Sequence, residues 1–153
     1  MRKSSENGNA NFSKANLPGF DLREANLSGI NLREANLSGA NLAYSNLHGA
    51  DLREADLSNA SFFKSNLGEA DLSRANLSGA ELREANLGKA NLSGADVSNA
   101  SFFMANLNYA NLTSANLTNA DFTHTSLFDA DLSEANLDGV NLSFGQIIAA
   151  LNY

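Results

Sequence analysis

Apolar residues recur along this chain with a strict period of five. From Phe12 to Leu142 every fifth position is apolar, and 22 of these 27 positions hold Leu. The position two places earlier is Ala in 21 of 27 cases, and the residue between the two is Asn or Asp in all but four. The repeating unit is A-(N/D)-L-x-x, and we call its five places the alanine, Asx, leucine, fourth and fifth positions.

Neither an α-helix nor a β-strand places every fifth residue on one face. Five residues advance about 140° around a helix, and in a strand successive leucines would alternate between the two faces. A short extended segment followed by a corner fits the pattern, because Ala and Leu two places apart then point the same way. Asn and Asp favour corners, since their side chains hydrogen-bond nearby backbone groups. Four segments would close a square coil of about twenty residues, with coils stacked about 4.8 Å apart.

Residues 35–47, ANLSGANLAYSNL, and the continuation of this pattern resemble the pentapeptide-repeat family. The resemblance covers about residues 10–147. It implies an all-β fold, a right-handed quadrilateral parallel β-helix (a solenoid) of about seven coils. The repeat ends at FGQIIAALNY (144–153), where Ile147, Ile148 and Leu151 have helical spacing and predict a short C-terminal helical cap. We therefore expect a polar tail or thin cap at residues 1–9, the β-helix at 10–143, and a helical cap at 144–153.

The twenty-residue coil assigns each leucine position to one side of the square. One side carries the structural core positions Leu22, Leu42, Phe62, Leu82, Phe102, Phe122 and Leu142. All seven are expected to point inward. The alanine positions must stay small because two large side chains per unit would overfill the interior.

Two doubled phenylalanines, in SFFKS (61–65) and SFFMA (101–105), stand exactly two predicted coils apart. Phe62 and Phe102 belong to the core, so Phe63 and Phe103 are expected to point outward in one column with Arg83 between them. Other outward apolar side chains are predicted nearby, and together they form a candidate interaction patch: Tyr44, Phe63, Phe103, Met104, Tyr109 and Phe128. Two interpretations stay open, a contact surface for a partner or a self-stacked cation–π column.

Composition and charge exclude several classes of protein. The chain has no Cys and a formal net charge of −7, which argues against a cysteine-built metal site and against direct nucleic-acid binding. His48 and His124 fall on different sides, so no metal site is expected. No cleft is predicted that could bury paired carboxylates, so we expect no catalysis, cofactor or small-molecule substrate. With no apolar run long enough to span a membrane, a cytoplasmic protein is the simplest interpretation.

These observations favour a non-enzymatic structural or interaction protein that presents its flat sides to a protein partner or to itself. The family resemblance adds an alternative. Some pentapeptide-repeat proteins protect DNA gyrase from quinolones by mimicking duplex DNA, so this chain could bind gyrase or another DNA-binding protein. Every Lys and Arg lies at or before Lys89, and the acidic part beyond it includes Asp129, Asp131 and Glu134.

Overall fold

The repeat folds into stacked four-sided coils. The structure, a computed structural model, describes residues 10–151. Twenty-two isolated parallel β-bridges connect Asx positions, and each joins residues twenty apart, from Asn11↔Asn31 to Asn116↔Asn136. The predicted coil length is thus confirmed. We number the coils from coil 1 (10–29) to coil 7 (130–149), and sides one to four of coil 1 begin at residues 10, 15, 20 and 25.

Each backbone amide of a unit has a fixed kind of acceptor. The Asx amide donates to the coil before, as Asn91 does to the Ala70 carbonyl (2.9 Å), and the leucine and fifth-position amides donate to the coil after. The alanine amide closes the corner by donating to the leucine carbonyl three residues earlier. The fourth-position amide donates to the Asx side chain, as Ser93 does to Asn91 Oδ1 (3.1 Å). This pairing of backbone groups allows an extended chain to turn every five residues.

The corners impose a left-handed backbone on every fifth position. All 26 of these residues, from Lys14 to Gly139, have positive φ, and only seven of them are glycine. Such a φ at the third residue of a turn is the signature of the type II turn. Nineteen non-glycine residues therefore accept a conformation that L-amino acids disfavour by about 1–2 kcal/mol each.

The interior consists of the leucine and alanine positions. Five members of the predicted core side are completely buried: Leu42, Phe62, Leu82, Phe102 and Phe122. The other two, Leu22 and Leu142, are half-buried because they lie in the first and last coils. The rings of Phe102 and Phe122 stack with centroids 4.9 Å apart. A fully buried Leu or Phe contributes about 1.5–3 kcal/mol, so the interior drives folding along the whole rod.

The Asx side chains also bond to one another along the rod. On side four, Asn66 Nδ2 donates to Asn46 Oδ1 (3.1 Å), Asn86 to Asn66 (3.1 Å) and Asn106 to Asn86 (3.0 Å). Each carboxamide thus serves two purposes, since its oxygen also accepts the fourth-position amide of its own unit. This ladder stabilises the vertical register of the coils.

The helix α1 (Phe144–Leu151) packs on the end of the rod. Ser143 and Gln146 form a capping box: the Gln146 amide donates to Ser143 Oγ, and the Ser143 amide donates to Gln146 Oε1. Gln146 Nε2 also donates to the carbonyls of Phe122 (2.7 Å) and Thr125 (3.0 Å). The Thr125 carbonyl is of the kind that accepts an Asx amide from the next coil elsewhere in the rod, so the Gln146 side chain replaces that donor here.

The tail or thin cap expected at residues 1–9 lies outside the described residues. Within residues 10–151, no helix combines the length and apolar character needed to cross a membrane.

Candidate interaction surface

The fourth and fifth positions supply the outward side chains of the rod. They form the corners, so a side chain at either position meets its equivalents one coil above and below rather than the core. On side three this arrangement produces a continuous stack over coils 2 to 6, which we call the aromatic column: Tyr44, Phe63, Arg83, Phe103 and His124.

Contacts within the aromatic column are edge-on or cation–π. Tyr44 meets Phe63 edge-on with ring centroids 5.5 Å apart, and Phe103 meets His124 in the same way at 5.7 Å. Between the two phenylalanines, the guanidinium carbon of Arg83 lies 5.8 Å from the Phe63 centroid and 6.0 Å from the Phe103 centroid. These distances fall within the range of attractive cation–π contacts, which supports the self-stacked interpretation for this part of the patch.

The remaining patch residues do not all join the column. Tyr109 and Phe128 form a separate edge-on pair on side four, with centroids 5.6 Å apart, which we call the corner pair. Met104 occupies the fifth position beside Phe103. Among the described residues no ring contact links the corner pair to the aromatic column. The patch predicted as one cluster therefore consists of a column and a pair on neighbouring corners.

Exposure distinguishes the two interpretations of the patch. Phe63 and Phe103 are half-buried within the column. Tyr44, Met104, Tyr109 and Phe128 each keep between 49% and 54% of their surface accessible, and Phe144 of α1 keeps 78%. Met104, the corner pair and Phe144 all lie in coils 5 to 7. Of the exposed members of the predicted patch, all but Tyr44 therefore lie near the C-terminal end of the rod.

Serine stands at the Asx position, in place of Asn or Asp, two residues before each phenylalanine that occupies a fourth position. Ser61, Ser101 and Ser126 stand two residues before Phe63, Phe103 and Phe128, respectively. The shorter serine leaves the amides of Phe63 and Phe103 without a hydrogen-bond acceptor among residues 10–151, and Phe128 donates instead to Asn108 Oδ1 (2.9 Å). The Ser-x-Phe pattern was a signal in the sequence that the repeat chemistry changes at these corners.

Opposite charges of adjacent coils pair along side one. Arg33 Nη2 lies 2.8 Å from Glu54 Oε1 of the next coil, and Lys14 Nζ lies 3.4 Å from Glu34. Arg23 holds the pKa of Asp21 down to about 2, mainly through its side-chain hydrogen bond. Arg53 lowers the pKa of Asp51 in the same way. Surface pairs of this kind contribute little to stability individually, and here they neutralise the first half of the rod.

The acidic half has no such cations. Hydrogen bonds from Thr123 lower the pKa of Asp121, and hydrogen bonds from Ser133 lower that of Asp131. Both carboxyl groups are therefore ionised at neutral pH. These carboxylates share coils 6 and 7 with the exposed apolar side chains of Phe128 and Phe144.

Two hollows interrupt sides that were expected to be smooth. One, of about 550 Å³, lies beside α1 and is lined by Leu132, Leu137, Leu142 and Ile147 together with Asp129 and Asp131. The other, of about 350 Å³, lies on side four where Gly68 and Gly88 replace larger fourth-position residues. A general acid at neutral pH needs a raised pKa, whereas the pKa of Asp131 is lowered. Within residues 10–151 no group of three or more His, Asp or Glu side chains could hold a metal ion.

Comparison with protein families agrees with the repeat. A family model described as pentapeptide repeats matches the chain in eight copies, over residues 8–32, 21–59, 30–68, 65–102 and 105–143. The chain belongs to the pentapeptide-repeat family. A comparison with curated proteins found no match.

Solved structures of other pentapeptide-repeat proteins share the fold. HetL, involved in heterocyst differentiation regulation in the cyanobacterium Nostoc sp. strain PCC 7120, is 30% identical, with 86% of this chain and 74% of HetL covered and a TM-score of 0.52. A pentapeptide-repeat protein of the Arabidopsis thaliana thylakoid lumen is 34% identical over 67% of this chain and 68% of its own, with a TM-score of 0.55. QnrB1, a plasmid-mediated fluoroquinolone resistance protein, is 18% identical over 94% and 92%, with a TM-score of 0.54.

The family assignment establishes a right-handed quadrilateral β-helix, as the resemblance implied. The likeness to QnrB1 shows the fold alone, since the sequences have diverged. Pentapeptide-repeat proteins are generally structural or interaction proteins. The family assignment does not identify interaction residues, because the outward side chains at the fourth and fifth positions are this chain's own.

Proposed function

We propose that this pentapeptide-repeat protein is a non-enzymatic interaction protein that binds a protein partner, or a second copy of itself, through the exposed apolar residues of coils 5 to 7. The observation that carries the proposal is the exposure of Met104, Tyr109 and Phe128, each of which leaves about half of its surface in water. Removing such apolar area from water contributes about 25 cal/mol per Å². Exposed apolar patches commonly mark interaction sites.

The aromatic column has a different role in this proposal. Phe63, Arg83 and Phe103 satisfy one another, so they form a stiff edge beside the exposed residues rather than the contact itself. Both interpretations of the patch therefore apply, each to different residues. The self-stacked column accounts for Phe63, Arg83 and Phe103, and the contact surface accounts for the exposed apolar residues of coils 5 to 7.

The test removes exposed apolar surface without touching the interior. Tyr109→Ser combined with Phe128→Ser should weaken partner capture from lysate, or self-association in sedimentation velocity, while the circular dichroism spectrum stays that of the wild type. Arg74→Ser is the matched control, since Arg74 is exposed at a fifth position on side one. Equal capture and equal association by wild type and double variant would overturn the proposal.

A second candidate is DNA mimicry directed at gyrase or another DNA-binding protein. It is favoured by the acidic half of the rod, where Asp129, Asp131 and Glu134 carry negative charge with no Lys or Arg beyond Lys89. Inhibition of gyrase supercoiling should then decrease with rising salt, because screening weakens long-range attraction. It should also depend on these three carboxylates rather than on Tyr109 and Phe128. Unchanged inhibition after Asp129→Asn, Asp131→Asn and Glu134→Gln would exclude this candidate.

A further inference from the structure

The first coil exposes apolar side chains that later coils bury. Phe12 and Phe20 keep 47% and 53% of their surface accessible. Leu17, Leu22 and Leu27 are half-buried, whereas the leucine positions of coils 2 to 6 are buried. Phe20 occupies an alanine position, and its large side chain remains exposed there. The N-terminal end of the rod therefore presents an apolar surface.

The same end presents unpaired backbone groups. In coils 2 to 6 the Asx amide donates to the alanine carbonyl of the coil before. The equivalent amides of Asn11, Asn16, Asp21 and Asn26 have no acceptor among residues 10–151, and their carbonyls have no donor there. An open β-edge next to exposed apolar side chains is a template for pairing with another chain.

The opposite end is occupied by α1. Gln146 bonds to the carbonyls of Phe122 and Thr125, and the Asp129 amide donates to the Ala149 carbonyl (2.9 Å). Helix α1 therefore replaces the β-edge on side four of the last coil, while the Leu132 and Leu137 amides of sides one and two have no acceptor among residues 10–151. A second copy stacked head to tail would meet α1 on one of its four sides, whereas a closed head-to-head pair at the N-terminal end meets a matching edge on all four.

Residues 1–9, MRKSSENGN, contain one apolar residue, Met1. A second copy offers more apolar area to Phe12 and Phe20, because it contributes the same two phenylalanines and the same edge.

Charge selects one orientation of the pair. Coil 1 carries four charged residues, and Asp21 and Arg23 already pair with each other at 2.7 Å. Lys14 and Glu24 lie at diagonally opposite corners of the square; Lys14 also lies 3.4 Å from Glu34 of coil 2, yet its side chain is 73% exposed. A two-fold axis through the other two corners, at residues 18–19 and 28–29, places Lys14 of one copy over Glu24 of its partner twice. An axis through the charged corners would instead place like charges together.

We propose that the N-terminal coil is a self-association interface, in which two copies pair head to head and Lys14 faces Glu24 across the two-fold axis. Sides two and three of one copy lie over sides three and two of the other in this arrangement, and their chains run antiparallel. Asn16 and Asp21, the Asx residues of these sides, are then positioned to complete each other's hydrogen bonds. This interface is independent of the exposed apolar residues of coils 5 to 7.

Charge exchange tests the pairing directly. In sedimentation velocity across a concentration series, the wild type should move from monomer to dimer mass. Lys14→Glu alone and Glu24→Lys alone should each weaken dimerisation by about tenfold or more, since each places like charges together. The double exchange should restore dimerisation, and Lys89→Glu, at an exposed fifth position of coil 4, should leave it unchanged.

Further variants test whether something other than a second copy covers the N-terminal end of the rod. Phe12→Ser with Phe20→Ser should abolish the dimer, whereas Tyr109→Ser with Phe128→Ser should leave it intact even if partner capture is lost. A wild type that stays monomeric throughout, or a double exchange that fails to restore the dimer, would overturn the proposal. A monomer that dimerises only after deletion of residues 2–9 would also overturn it, because the chain's own segment would then cover the end.

Discussion

Replacing Arg83 tests whether the aromatic column stabilises the rod. The Arg83 guanidinium lies within about 6 Å of the ring centroids of both Phe63 and Phe103, so Arg83→Gln removes two cation–π contacts at once. Each contact at an exposed site contributes about 0.5–1 kcal/mol. We therefore expect Arg83→Gln to lower the free energy of unfolding by about 1–2 kcal/mol.

Part of that loss could come from another contact of Arg83. Its Nη1 lies 3.4 Å from Glu81 Oε1, and both side chains are more than two-fifths exposed. Exposed ion pairs contribute about 0–1 kcal/mol, so the single substitution overestimates the ring contacts. A double-mutant cycle with Phe103→Leu isolates one of them, because Leu keeps most of the apolar volume and removes the aromatic ring.

Urea unfolding followed by far-UV circular dichroism measures all four corners of this cycle. We expect a coupling energy of about 0.5–1 kcal/mol between Arg83 and Phe103. The matched cycle pairs Arg74→Gln with Phe103→Leu; Arg74 lies on side one, away from the column, and should show no coupling. If the two cycles gave the same coupling energy, Arg83 and the ring would be neighbours without mutual attraction, and the self-stacked interpretation would fail.

Two further predictions concern the corners and the carboxylates. Gly39→Ala should lower the free energy of unfolding by about 1 kcal/mol, since its φ is +64° and a Cβ would meet open space; Gly139→Ala should cost more, because its Cβ would collide with Asn119 Oδ1. Equal losses in urea denaturation would contradict the steric argument. The lowered pKa values of Asp51 and Asp121 provide stability that is complete above the ordinary value of 3.8 and lost as pH falls through the folded-state values. The melting temperature should therefore fall on acidification below about pH 4, and less so in Asp121→Asn; thermal scans that overlay at every pH would disprove this.

Much of the interior could be predicted from the sequence because burial follows the repeat without interruption. Each unit returns its Ala and Leu to the inside, so the assignment of Phe62 and Phe102 to the core needed only a count of residues. The offset of twenty also predicted that Phe63, Arg83 and Phe103 share one corner. The helical spacing after residue 143 predicted a terminal helix, and α1 begins at Phe144.

Tertiary structure decided how the outward side chains are shared among contacts. Tyr44 reaches Phe63, and Phe103 reaches His124, by crossing between fourth and fifth positions of adjacent coils. No period in the sequence specifies these contacts, because they depend on ring orientation at the corner. The separation of the corner pair from the aromatic column has the same origin.

The capping contacts and the corner conformation were also decided by the tertiary structure rather than by the sequence pattern. Gln146 finds carbonyls 21 and 24 residues away, a distance that no local pattern encodes. Only seven of the 26 left-handed fifth positions hold glycine, and nineteen other residues adopt the same conformation. They do so because the hydrogen bonds of the coils above and below fix the path of the chain. The sequence by itself determined which side chains are buried, since a strict period leaves one arrangement that hides them; the folded rod decided which exposed side chains meet, since corner contacts depend on three-dimensional packing.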